Sequence, residues 1–248
     1  MNLIALQLWS VKDACQQDFF AVLEKIAEMG YEGVEFAGYH EKSAGQIKEK
    51  LAELNLKAVA SHLPAEQIFQ HPEEVIAFEK ELGNKYIVCP WASFETKEEW
   101  KHFAQKLQLA AKQFQDAGLT LVYHNHWQEL RKFDETYILD FLLQEAPDVM
   151  AELDTYWIQY AGADVFTFLA KYKNRTPLIH LKDMKKDPLE STEIGNGSLD
   201  IAGFVNQAQQ NGTEWLIVEQ EDFAKPPLDS VKICLKNLRK ILKKTGEN

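Results

Sequence analysis

The chain has 248 residues, 46% of them hydrophobic and 26% charged, enough for one sizeable core and close to the usual length of a single α/β barrel. Its 27 Lys and Arg against 38 Asp and Glu leave a formal charge of −11, which repels a phosphate backbone and excludes nucleic acid as an expected partner. No apolar run nears the roughly 20 residues of a membrane-spanning helix. Cys15, Cys89 and Cys234 are too scattered for a CxxC metal site or a disulfide framework and read as ordinary buried thiols.

In chain order, short β-rich runs alternate with longer amphipathic ones. The opening Met1-Asn2-Leu3-Ile4-Ala5-Leu6 has neither a basic n-region nor a small-residue cleavage site, so a cytoplasmic location is expected. A first strand is expected over Leu3–Trp9, and its end, Gln7-Leu8-Trp9-Ser10, lacks the glycines of a dinucleotide-binding turn. Asp18–Met29 then sets Phe19, Val22, Leu23, Ile26 and Ala27 on one helical stripe, with Gly30 as its stop. Strands over Gly33–Ala37 and Lys57–His62, a helix over Val75–Leu82 before Gly83, a strand over Tyr86–Pro90 and a helix over Trp100–Ala117 before Gly118 follow. Four more strands are expected over Leu119–Asn125, Met150–Asp154, Leu178–Lys182 and Trp215–Glu219. The basic stretch from Lys236 to Lys244 reads as the polar face of a terminal helix. With no linker or low-complexity break, the expectation is a single-domain (β/α)8 TIM barrel over residues 1–248.

In such a barrel the C-terminal strand ends and the loops after them form the active site. Here they collect Gln7 and Trp9, Glu35, Ser61 and His62, His124, Asn125 and His126, Asp154, His180 and Lys182, and Glu219 and Glu221. Val, Ile or Leu would fill these positions in an ordinary core layer, so so many charged and imidazole groups at one mouth point to function. Period-two alternation puts His180 with Lys182, His124 with His126 and Glu219 with Glu221. Carboxylates and imidazoles from Asp154, His180 and Glu219 suit a divalent cation. Lys182 is read either as a structural partner of a carboxylate or as a group that polarises substrate and moves a proton. His40, His71 and His102 are expected on the solvated surface, and Gly195-Asn196-Gly197 is read as a plain turn rather than an anion cradle.

The strings LVYHNHW, AELDTYW, LIHLKD, EIGNGSLD and IVEQED, in that order, resemble the sugar phosphate isomerase/epimerase family with the xylose-isomerase-like barrel, which includes hydroxypyruvate isomerase and inosose dehydratase. The resemblance covers essentially the whole chain. It implies one divalent metal ion, manganese, zinc, cobalt or magnesium, held by residues of strands five to eight. Asp154, His180 and Glu219 match three of the family's ligands, with Asp154 and His180 26 positions apart, which is similar to the family's spacing. The family's strand-five glutamate, six residues after a helix-closing glycine, is replaced by His124, so the implied set is His124, Asp154, His180 and Glu219, with His126 as the competing fourth ligand.

The family's isomerases and epimerases use two metal-bound glutamates that flank the substrate, so the loss of one unsettles a symmetric two-base reaction. The leading expectation is an isomerase or epimerase-type enzyme on a keto sugar or keto-polyol, with Glu219 taking the proton next to the carbonyl and Lys182 or His126 as its partner. Trp9, Glu35, His62 and Trp157 are expected to line the sugar pocket. A lyase that dehydrates a keto-polyol or cleaves a keto-glycoside is the alternative, and a non-catalytic sugar-binding barrel a third. The ligand is a small sugar or polyol, with a slight preference for the unphosphorylated form. Trp91, Trp127 and Trp157 are open to two roles, closing the pocket or meeting a second copy in a homo-oligomer.

Overall fold

Residues 3–245 are described by a computed structural model, so the edges of the expected domain, Met1, Asn2 and residues 246–248, lie outside the described residues. Eight parallel strands close on themselves: β1 Leu3–Gln7, β2 Gly33–Phe36, β3 Lys57–His62, β4 Tyr86–Cys89, β5 Thr120–His124, β6 Met150–Asp154, β7 Leu178–Leu181 and β8 Trp215–Val218. Each pairs with its neighbours in sequence, and β8 returns to β1 through Leu3 opposite Trp215 and Leu6 opposite Val218. The chain is thus a (β/α)8 barrel with helices outside. No helix among the described residues is long and apolar enough to cross a membrane.

Strand alternation divides the core in two. Leu6, Val34, Phe36, Ile87, Leu121, Leu153, Ile179, Leu216 and Val218 point outward and pack against the helix stripes. Each such side chain contributes about 1.5–3 kcal/mol of burial. Ala5, Tyr86, Val88, Val122, Leu178, Trp215 and Ile217 form a separate cluster inside the barrel. Gly33 makes room for that plug, because a Cβ there would stand 2.5 Å from Val59 Cγ2 and 3.1 Å from the Trp215 ring. The inward face turns polar toward the strand ends. Ala5 is followed by Gln7, Gly33 by Glu35, Val122 by His124, Met150 by Glu152 and Asp154, Leu178 by His180 and Lys182, and Ile217 by Glu219 and Glu221.

The helices obey local rules. Asp18 Oδ1 caps the helix Phe19–Met29 by accepting from Ala21 N, and Gly30 closes it at φ +97°. Lys97–Asp116 opens on a reciprocal capping box between Thr96 and Glu99. The expected Val75–Leu82 helix starts earlier, at Pro72, because a proline in the first turn lacks only an N–H that has no helical partner. Most strands end one or two residues before their expected limits. On β1 the reason is visible: Gln7 Oε1 accepts from Trp9 N at 3.0 Å and starts a 3-10 turn over Leu8–Val11, which swings Trp9 out to 47% exposure. All three cysteines are free and buried.

Candidate metal centre

The polar strand ends converge. One nitrogen or oxygen from each of His124, Asp154, His180 and Glu219 lies within 4.8 Å of the others, and so do ligand atoms of His62, His124, Glu152 and His180 in a second group just below. His180 Nδ1 meets Glu219 Oε2 at 2.8 Å and stands 3.9 Å from Asp154 Oδ2. His124 Nε2 stands at the same 3.9 Å from Asp154 Oδ2. Asp154 is held by its other oxygen: Oδ1 caps the short helix Thr155–Tyr160, accepting from Tyr156 N at 2.9 Å and Trp157 N at 3.0 Å. Its Oδ2 is buried without an aligned hydrogen bond, as are His124 Nδ1 and Glu152 Oε1. Buried polar atoms left without a hydrogen bond at this density are rare in a folded interior. Two imidazoles and two carboxylates fit a borderline divalent cation such as zinc, manganese or cobalt.

Lys182 lies at the edge of this cluster with 1% of its side chain exposed, 2.9 Å from Asp154 Oδ2, 2.9 Å from Glu219 Oε2 and 2.5 Å from Glu221 Oε1. Burial works against its charge, but Asp154, Glu219 and Glu221 outweigh that and hold the ammonium well above its ordinary range. Glu219 is likewise opposed by burial, yet Lys182 and His180 hold its carboxyl well below the usual range. Burial dominates at Asp154, whose carboxyl is raised despite Lys182. His124 is kept far below its usual range by burial and then by the imidazoles of His180, His126 and His62. His126 is pushed down to about 3 by burial and by Lys182. Burial also opposes charge on His62, but Glu35 and Glu152 overcome it and raise the imidazole to about 9.

Above the cluster opens a cavity of about 730 Å³, walled by Trp9, Tyr39, His62, Leu63, Pro64, Trp91, His124 and His126, with Glu219 and Glu221 on one side. Among the described residues no arginine lines it, and Lys182 meets the Glu219 and Glu221 of its wall from beneath. Of the four residues expected to line a sugar pocket, Trp9 and His62 are here. Glu35 is fully buried beneath His180, and Trp157 is half-buried behind His126, its ring 5.1 Å from Lys182 Nζ. His126 stands at the rim edge-on to Trp91 and outside both converging groups. Its backbone N–H donates to Glu129 Oε2 at 2.9 Å, and Tyr123 Oη donates to the other oxygen of Glu129 at 2.6 Å.

Sequence reasoning missed two residues around the site. Glu152 was passed over although it sits two residues before Asp154, a spacing that places both on one strand face. Glu129 lies in the single 3-10 turn Gln128–Leu130, too short an element to give a periodic signal. Asp183 fills the Gly195–Gly197 turn, its carboxylate accepting from the amides of Gly195, Gly197 and Leu199, so those amides are already taken and the region is the plain turn expected. His71 and His102 are exposed as expected. His40 is half-buried, because its ring packs 4.8 Å from Phe19.

The sequence signature of the Xylose isomerase-like TIM barrel family matches residues 23–241. The inosose dehydratase of Clostridium beijerinckii is 26% identical, with 83% of each chain covered. A sugar phosphate isomerase/epimerase from Parabacteroides distasonis superposes with a TM-score of 0.85 at 23% identity, over 96% of this chain and 93% of that one. The IOLI protein, solved with a bound zinc atom, superposes at 0.80 and 13% identity over 98% and 99%.

Proposed function

The chain belongs to the Xylose isomerase-like TIM barrel family, and from that premise we propose that it is a divalent-metal-dependent enzyme that removes a proton next to the carbonyl of an unphosphorylated keto sugar or keto-polyol, with dehydration as the outcome. Relatives named inosose dehydratase support the substrate class and the elimination. The cavity wall offers no arginine to chelate a phosphate, and Lys182 is already paired with Asp154, Glu219 and Glu221, which supports a substrate lacking phosphate.

The observation that carries the reading is the one-sided placement of carboxylates. Glu219 and Glu221 both come from the β8 end, whereas the wall supplied by β3 and β5 offers imidazoles, His62, His124 and His126, and no carboxylate. Epimerisation by two bases needs a proton acceptor on each face of the reacting carbon; His124, committed to a metal, has no lone pair left to serve, His62 Nε2 is tied between Glu35 and Glu152, and His126 stands at the rim against Trp91. A syn elimination needs its base and its acid on one side, and Glu219 and Lys182 stand 2.9 Å apart.

His124, Asp154, His180 and Glu219 would hold the ion, and a divalent cation there supplies Lewis-acid polarisation of a carbonyl and its neighbouring hydroxyl. Glu219 takes the proton from the carbon next to the carbonyl, and the C–H electron pair moves into the enediolate. Return of that pair expels the hydroxyl one carbon further on, and Lys182 Nζ gives its proton to the departing oxygen, releasing water and an unsaturated ketone. The proton on Glu219 then passes to Lys182 and restores both groups. His62 and the walls of Trp9 and Trp91 hold the ring.

Incubation of the manganese-loaded enzyme with cyclic keto-polyols and keto-hexoses in D2O, followed by NMR and mass spectrometry, tests this. The expected product has lost one water. Deuterium gain at the carbon next to the carbonyl, with no loss of water, would return the enzyme to the isomerase reading.

A further inference from the structure

Glu35 and Glu152 lie below the four converging groups, both with no exposed surface. They come from opposite sides of the barrel, β2 and β6, onto the same imidazoles. Glu35 Oε2 is 2.6 Å from His180 Nε2 and 3.3 Å from His62 Nε2, and it accepts from Gln7 Nε2 at 2.7 Å. Glu152 Oε2 is 2.9 Å from His62 Nε2, 3.1 Å from His124 Nδ1 and 3.3 Å from His180 Nε2. Of these, Glu35 to His180 and Glu152 to His62 are aligned hydrogen bonds, while Glu152 approaches His124 in ion-pair range. Two carboxylates buried in a layer that ordinarily takes Val or Ile are costly unless cationic or N–H partners compensate them.

The two tiers of carboxylates take opposite nitrogens of each ring. His180 meets Glu35 and Glu152 through Nε2 and meets Glu219 and Asp154 through Nδ1. His124 meets Glu152 through Nδ1 and Asp154 through Nε2. We propose that Glu35 and Glu152 are positioning residues, Glu35 accepting the lower N–H of His180 and Glu152 facing His124 Nδ1 at ion-pair distance, and that they so present the lone pairs of His180 Nδ1 and His124 Nε2 toward Asp154 and Glu219. A ligating histidine whose other nitrogen is tied to a carboxylate is fixed in tautomer and orientation and is a more basic donor. The same geometry makes His62 a spacer whose Nε2 lies between the two carboxylates. This inference rests on the metal reading above.

The direct test is long-range 1H–15N NMR of the zinc-loaded wild-type protein with labelled histidine. The expected pattern is a retained Nε2 proton with a ligated Nδ1 at His180, and a retained Nδ1 proton with a ligated Nε2 at His124. Reversed nitrogens would overturn the proposal and make the lower group of His62, His124, Glu152 and His180 the cation cage. A second measurement uses Glu35→Gln and Glu152→Gln, which keep size and shape, in competition with a chelator. Each is expected to weaken zinc affinity by about 10- to 100-fold while still filling to the wild-type stoichiometry at saturating zinc. Unchanged affinity in both variants, or loss of stoichiometric binding in Glu152→Gln, would overturn it. Wild type that takes up no zinc would sink the metal reading itself, whereas zinc bound through the opposite nitrogens would sink only this inference.

Discussion

A lysine with 1% of its surface exposed among three carboxylates cannot become neutral without two separate consequences. Lys182→Met removes the proposed acid, so kcat is expected to fall by about 10²- to 10⁴-fold. It also leaves Asp154, Glu219 and Glu221 without their cation, so the metal-free protein is expected to lose about 3–5 kcal/mol of stability. Steady-state kinetics and urea denaturation on one preparation separate the two, and unchanged kcat would remove Lys182 from the mechanism. Away from the site, Glu193 offers a test of buried electrostatics. Burial opposes its charge, but Lys225, a backbone amide, Ser230 and Asn196 outweigh that and lower the carboxyl from 4.5 to about 2. A depressed carboxylate stabilises the fold above its unfolded pKa, and that contribution disappears as pH falls from 4.5 through about 2. Glu193→Gln is therefore expected to cost about 1–3 kcal/mol at neutral pH, with the gap from wild type narrowing through that acid window in thermal melts. A gap independent of pH would show that packing, not charge, sets the cost. At this scale the sequence was readable where a residue ended a strand in a known string, as at Asp154, His180 and Glu219. It was less so for Glu152, whose strand face is plain but whose partners, His62 and His124, lie 90 and 28 positions away.

Among the elements, the eight strands and the helices closed by Gly30, Gly83 and Gly118 could be read from alternation and punctuation, because those signals depend on neighbours in sequence. Strand ends could not, since they depend on a turn such as the one Gln7 starts through its side chain. The same limit applies to the loop after β7. Asp183 has 1% exposure and accepts from the amides of Met184, Gly195, Gly197 and Leu199, and a Cβ on Gly197 would lie 2.2 Å from its Oδ1. Asp183→Ala strips several amides of their acceptor and is expected to cost about 2–4 kcal/mol. Hydrogen exchange is expected to accelerate at Gly195, Gly197 and Leu199. If exchange there stays slow in the variant, other partners hold the loop.

For the whole molecule, the proposed centre couples metal binding to protons and to folding. His180 is opposed by burial, but Glu152, Glu35 and Glu219 hold it charged well above its ordinary range. It must release a proton before it can donate to a metal, so metal affinity is expected to rise with pH, with net proton uptake by the buffer. Titrations in buffers of different ionisation enthalpy measure both, and an affinity that falls as pH rises would contradict the ligand set. Because the site exists only in the folded chain, a metal at 100 times its Kd is expected to add about 2.7 kcal/mol to the unfolding free energy. The most direct measurement is the metal content of wild type, Asp154→Ala, His124→Ala and His126→Ala after loading with manganese or zinc and desalting. The account predicts about one ion per chain in wild type and His126→Ala, and its loss in Asp154→Ala and His124→Ala. Wild type that retains no metal under any loading, or loss of the ion in His126→Ala with retention in His124→Ala, would contradict it.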